Sequence, residues 1–427
     1  MLTVVEPARE LPVLRQVDVL VVGGGPAGFI AATAAARQGT QTLLVERYGC
    51  LGGLATGGLV LYMDCIADKE QHRVIGGLPW EVMERLDRRG GLAKDAPLRL
   101  HVDSELLQVV ADEVCLESGA GLLFHAWAAG ALVEEDRLTG VIIESKSGRQ
   151  AILARVTVDA TGDGDIAAFA GAPYDVGHQC IGLNLKVGGA DRERYQAFQR
   201  DDPDRARALR DELRALGGFP LGLGSTPYSN TGVYWVNILG LSNWGQPGRG
   251  EGDVHSYFAG ELSAIDVEHL THVQIELRRR ILLSLDFYRQ HVPGFEQVQL
   301  LAFASQIGTR ESRRIAGEQT ITQADVSSGR TFDDAIGRAG IGYDPIGSYQ
   351  VPYGSLVPQQ IDGLLVSGRC ISTDHWTMQA ARLIPPAMMT GQAAGTAAAM
   401  AVAQGVSPRQ LDVAALQQRL VADGVIL

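Results

Sequence analysis

The chain has 427 residues, 46% of them apolar and 20% charged, which excludes a wholly disordered or fibrous protein and suggests two or three domains. Its 37 basic and 49 acidic side chains give a formal net charge of −12, which argues against nucleic acid as the main partner. Five cysteines with no CxxC pair exclude an iron–sulfur run and a dithiol motif; they suit a reducing compartment, so a cytoplasmic location is expected.

The N-terminal stretch lacks a basic segment followed by an apolar run, so no signal peptide is expected. No membrane insertion is expected either, because the most apolar stretch, 17–36, is broken by glycines and a proline. Residues 17–22 (VDVLVV) read as a buried strand. GGGPAG follows, then an Ala-rich helix closed by Gly39. A second buried strand, TLLVE at 42–46, completes a βαβ unit. Residues 49–58 form a glycine-dense loop. Helices are predicted over Pro79–Arg89 and over Ser104–Ser118, the latter capped by Asp103 or Ser104. Strands at 122–124, 131–134 and 140–144 read as an antiparallel meander turning near Asp136. A further strand runs into the turn ATGDGD at 160–165.

The stretch 191–216 reads as helix broken at Pro203. Residues 217–253 read as loop or short strands, with Tyr228, Tyr234, Trp235 and Trp244 as packing aromatics. Leu270, Val273, Leu277, Ile281, Leu285 and Tyr288 recur at helical spacing, and Pro293 and Gly294 end that helix. From about 356 the buried-strand style returns in GLLVSG, followed by an Ala-rich helix with Pro385 and Pro386 suited to its first turn. The expected fold is α/β. A Rossmann-like dinucleotide-binding domain is expected from residues 1–175 and 356–427, with an inserted α+β substrate or cap domain at 176–355.

Gly23-x-Gly25-x-x-Gly28 lies between a strand and a helix, with Glu46 at the end of the next strand. In that context the first glycine makes the turn, the second lets backbone approach a pyrophosphate, and the third lets helix pack on strand. N–H groups around Pro26 and Ala27 would hold the phosphates. Glu46 would accept from ribose hydroxyls, with Arg47 beside it. A second fingerprint with strand and helix flanks is missing. The loop carrying Gly52, Gly53 and Thr56 lies just past the acid, where flavoproteins run backbone along the cofactor. FAD is therefore the expected cofactor.

The ordered set VVGGGPAG, LGGLATGG, DATGDGDIAAFAGAPY, IGTRESRRIAGE, VPYGSLVP, LLVSGRCIS and RLIPPAMMTGQAAGTAA resembles the FAD-dependent oxidoreductases related to the flavoprotein subunits of succinate dehydrogenase and fumarate reductase. The resemblance runs from about 17 to 422. It implies a two-dinucleotide-binding-type fold and further cofactor contacts at Ala128, Ala160, Thr161, Gly162, Asp163, Gly368, Arg369, Gly391, Gln392 and Ala393. Aromatic hydroxylases place Gly-Asp where this chain has Gly368 and Arg369, which weakens a monooxygenase reading. No histidine lies between Glu46 and Gly58, and Cys50 reads as a small buried cysteine, so non-covalent FAD is expected.

Catalytic candidates are His375 as a base, Arg382 as a carboxylate or carbonyl anchor, and Arg310 as a weaker anion contact. No metal site is expected. The expected activity moves a hydride between a small, anionic or carbonyl-bearing substrate and flavin N5. Reduction of an activated C=C bond, or electron transfer without a substrate of its own, are the alternatives. A homo-oligomer is left open.

Overall fold

The computed structural model describes residues 2–5, 7–241, 262–341 and 347–427. The strand Val13–Val22 is exposed at its start and continuously buried over Val19–Val22. Such a run suits a strand covered on both faces of a parallel sheet. It pairs in parallel with Thr42–Val45 on one side and with Gly148–Asp159 on the other. Gly121–Leu123 adds a fourth parallel strand beside Thr42–Val45. This corrects the expected meander, which included that segment. The local pattern could not show its partner, because Glu46 N–H donates to the Leu123 carbonyl across 77 residues (2.9 Å).

The meander itself consists of Trp127–Glu134, Arg137–Ser145 and Gly148–Asp159, antiparallel in that order. The last of these strands is shared between two partners along one edge. Its first half pairs with Arg137–Ser145, and its end, Thr157–Asp159, pairs in parallel with Leu364–Val366. The seven-stranded sheet thus draws on residues 13–159 and 364–366.

Two helices stack on this sheet. Pro26–Arg37 is buried from Ala27 to Ala36 because it lies between the sheet and the helix Ile384–Gln404. The two helices meet through glycine. A Cβ on Gly391 would lie 2.1 Å from the Ala27 carbonyl oxygen, and one on Gly395 would lie 2.1 Å from that of Ala31. Pro385 and Pro386 occupy the first turn, where a missing N–H costs nothing. Ser104–Ser118 is capped by Asp103, whose carboxylate accepts the Leu106 N–H (2.7 Å).

The middle of the chain builds smaller sheets. Leu185–Gly188 lies between Tyr234–Val236 and Gln299–Phe303. Arg192–Asp201 and Pro203–Ala215 are separate helices, the second opening on Pro203. The apolar stripe of Val267–His291 is buried at Val273, Leu277, Ile281, Leu285 and Tyr288. Trp244 lies outside the described residues.

Candidate active site

The C-terminal ends of the parallel strands open onto a cavity of about 910 Å³. At one end stand Glu46, Arg47, Trp127 and Ala128. Glu46 is buried; its Oε2 accepts the Gly24 N–H (2.5 Å) and its Oε1 the Tyr48 N–H (2.8 Å). Burial pushes its carboxyl up, and these two N–H groups pull it back. The Arg47 guanidinium sits over two rings, Tyr48 at 5.0 Å and Trp127 at 4.9 Å.

In the middle the glycine motif divides its labour. Gly23 has φ +98°, and a Cβ there would lie 2.5 Å from the Ala160 carbonyl oxygen. Gly28 faces away from the cavity and packs on the Gly23 carbonyl, as helix-on-strand contact requires. Gly25 caps the helix Pro26–Arg37 without a side-chain acceptor, and a Cβ there would meet nothing within 4 Å. Pro26, Ala27 and Gly53 line the same stretch. Gly52 and Thr56 brace the loop behind it: Gly52 N–H donates to the Gly24 carbonyl (2.8 Å), and the Thr56 hydroxyl to that of Leu51 (2.7 Å).

Opposite, Ala160, Thr161, Gly162, Asp163, Gly368 and Arg369 line the wall. Asp163 accepts from the Ser312 hydroxyl (2.7 Å) and pairs with Arg369 (2.9 Å). Arg313 pairs with Asp165 (2.8 Å). Burial, with Asp163 and Asp159 close by, pushes the Asp165 carboxyl up to about 6. Three distant segments of the sequence therefore interlock in one charged cluster.

A second helix start reaches the cavity through Leu383, Ile384 and Ala387. It too lacks a side-chain cap and any acid in its first turn. Gly391, Gln392 and Ala393, expected at the cofactor, are placed deeper. Gly391 is spent on the helix–helix seam, Ala393 is fully buried, and the Gln392 side-chain oxygen accepts the Leu78 N–H (2.8 Å). They lie a turn too far along the helix to line the cavity.

The cavity is also lined by Tyr62, Asp64, Asn184, Trp235, Asn237, Arg310 and Arg382. Arg310 donates to the carbonyls of Leu239 (2.6 Å) and Cys180 (3.2 Å), which fixes its head at the wall. His375, the expected base, does not line the cavity. Its Nδ1 pairs with the fully buried Glu311 (2.7 Å), which also pairs with Arg314. The hydrogen bond to that partner raises the His375 pKa. Tyr62, Asp64, Asn184 and Asn237 escaped the sequence reading. Only the pair Tyr62 and Asp64, alternating within the apolar run LVLYMD, carried a local signal.

Two uncapped helix starts, an open glycine and a buried acid at the end of the second strand fit a dinucleotide laid along this cavity. The family described as FAD dependent oxidoreductase matches residues 18–420. The chain belongs to that family. As an FAD dependent oxidoreductase it is an enzyme, and FAD is its cofactor.

Thiamine thiazole synthase of Methanococcus vannielii is 28% identical over 166 residues, covering 35% of this chain and 57% of that protein. Digeranylgeranylglycerophospholipid reductase 1 of Methanopyrus kandleri is 32% identical over 203 residues, covering 44% of this chain and 52% of that one. The chain thus spans about half the length of these curated relatives. Among solved structures, a geranylgeranyl bacteriochlorophyll reductase-like protein from Thermoplasma acidophilum covers 96% of this oxidoreductase at 16% identity, 83% of its own chain, and a TM-score of 0.45. Among the described residues no helix is long and apolar enough to cross a membrane.

Proposed function

We propose that this oxidoreductase oxidises a small anionic or carbonyl-bearing molecule, whose C–H electron pair leaves as hydride to flavin N5. One observation carries the reading: the cavity that offers the dinucleotide cradle is also lined by Arg310, Arg382, Tyr62 and Asp64. The ordered motifs support kinship with the succinate dehydrogenase and fumarate reductase flavoproteins.

Bound FAD supplies the two-electron chemistry. The chain supplies placement and field. Glu46 and the start of Pro26–Arg37 hold the adenosine and phosphate end. The start of Ile384–Gln404 favours negative charge on the reduced ring by up to about 2 kcal/mol. Arg382 orients a carboxylate, or polarises a carbonyl, through its planar fork. Trp235 and Ile238 add apolar surface to the lining. The loop after Glu46 has no histidine and Cys50 does not line the cavity, which supports FAD held without a covalent bond.

We assign the FAD-binding part to 1–175 and 356–427 and the inserted substrate part to 176–355. Sheet membership supports the split, since the main sheet uses 13–159 and 364–366. Five cysteines with no disulfide among them support a cytoplasmic location.

The test is anaerobic bleaching of the flavin by a panel of small hydroxy acids, keto-alcohols, simple alcohols and amines. Bleaching by the acids or carbonyl-bearing alcohols is expected. A protein bleached by none of them, yet reoxidised by an enoate after chemical reduction, would be a C=C reductase instead.

A further inference from the structure

Among the described residues four carboxylates line the cavity: Glu46, Asp64, Asp163 and Asp165. Three are committed to the cradle. Glu46 is held by two backbone N–H groups, Asp163 by Ser312 and Arg369, and Asp165 by Arg313. Asp64 differs: it lies near Arg382, and both line the cavity with Tyr62. Tyr62 and Asp64 flank Met63, which is fully buried.

The direction of the Asp64 side chain is fixed locally. Its Oδ1 accepts the backbone N–H of Cys65 (2.9 Å). Cys65 has φ +64°, a left-handed conformation that an ordinary side chain adopts only when its surroundings impose it. The imposing contact is the strand Ala335–Gly340, whose Gly340 N–H donates to the Cys65 carbonyl (3.0 Å). Among the described residues the hydrogen bonds to this carboxylate come from the backbone N–H and the thiol of Cys65, and the residue lines the cavity. Among the described residues, Arg99, Arg382 and the Cys65 thiol pull this carboxyl down, while burial pushes it up and prevails.

We infer that Asp64 is the base that takes the hydroxyl proton of the substrate while Arg382 holds that substrate's carboxylate or carbonyl. This rests on the oxidation reading above and assigns its proton. In the step the O–H bond breaks and its proton goes to the Asp64 carboxylate. The freed electron pair on oxygen forms the C=O bond. The adjacent C–H bond breaks, and its electron pair leaves with hydrogen as hydride to FAD. The alcohol is oxidised by two electrons and FAD is reduced by two. The substrate class is thus a hydroxy acid or a hydroxy-carbonyl compound, not a simple hydrocarbon or a thiol.

The experiment compares wild type with Asp64→Asn, both loaded with FAD and checked for equal flavin content. Two readouts are taken. The first is anaerobic bleaching by the hydroxy-acid panel across pH. The variant should bleach about 10²–10⁴-fold more slowly, without the rise with pH that the wild type shows as its carboxyl ionises. The second needs no turnover: oxalate is titrated against each protein and followed by tryptophan fluorescence, since Trp235 and Trp376 line the cavity. Removing a like charge beside Arg382 should tighten oxalate by about tenfold in the variant. Bleaching within twofold of wild type, or unchanged oxalate affinity, overturns the assignment of Asp64 while leaving the oxidation reading in place. A wild type that no hydroxy acid bleaches overturns the oxidation reading, and the assignment with it.

Discussion

Two glycines on neighbouring helices make a paired test of how the cavity is built. At Gly391 an added methyl would sit 2.1 Å from the Ala27 carbonyl oxygen, with the Ala27 carbonyl carbon and Cα both at 2.8 Å. All three are backbone atoms, so no side chain can swing aside. The helices must part by more than an ångström to restore ordinary contact. Overpacking of this kind costs about 1–3 kcal/mol, and the backbone atoms put Gly391 at the upper end. Alanine returns about 1 kcal/mol of helix propensity. The net expectation for Gly391→Ala is a loss of about 2 kcal/mol in stability. Gly25 is the opposite case. Its φ of −66° and ψ of −175° suit alanine, and the methyl would enter open space. Gly25→Ala should cost the fold under about 1 kcal/mol, the difference between two residues at a helix cap. It should weaken FAD at least about tenfold, because the methyl occupies the backbone's approach to the pyrophosphate. Urea unfolding of the flavin-free proteins reads the first effect, and FAD titration by fluorescence quenching reads the second. Wild-type stability in Gly391→Ala would refute the backbone seam; wild-type FAD affinity in Gly25→Ala would refute the cradle.

Glu46→Ala should lose about 1.5–3 kcal/mol of FAD affinity, measured by the same titration; unchanged retention would remove Glu46 from the ribose. Asp165 tests the charged cluster through pH. Its carboxyl is raised to about 6 in the folded protein, so between there and its ordinary value the folded state holds a proton that the unfolded state has lost. That contribution is present at low pH and is lost as pH rises through about 6. Wild type should therefore gain about 1 kcal/mol relative to Asp165→Asn on going from pH 8 to pH 5 in urea unfolding, and an equal response in both would contradict the shift. Arg382→Ala should retain its flavin and bleach at least about tenfold more slowly with a hydroxy acid, whereas His375→Ala should bleach within twofold of wild type. The reverse pattern in stopped-flow traces would restore His375 to the site.

The glycine motif was legible because its geometry is local. Gly23, Gly25 and Gly28 take their places by spacing within one turn, and Glu46 by its position at the end of the next strand. Beyond Arg310 and Arg382, which the sequence had singled out, the rest of the lining was not legible, because it is assembled from afar. Asn184 and Asn237 come from separate segments of the middle of the chain and line the cavity with them. His375 misled for a related reason. Its place after a buried strand suggested the active face, but its direction is set by Glu311, 64 residues earlier and fully buried. Gln392 shows the limit of motif reading from the other side. It belongs to a segment that resembles a cofactor contact, and its side chain is spent on the Leu78 N–H instead.

The seam between Pro26–Arg37 and Ile384–Gln404 joins segments roughly 350 residues apart. At a synthesis rate of about 5–20 residues per second, the first helix leaves the ribosome about 20–70 seconds before its partner exists. Throughout that interval its alanine face has nothing to cover it, and the second helix start that reaches the cavity has not been made. The cavity is therefore completed late in the life of each molecule. A nascent chain that stalls in its middle carries the whole glycine fingerprint without the helix that packs on it.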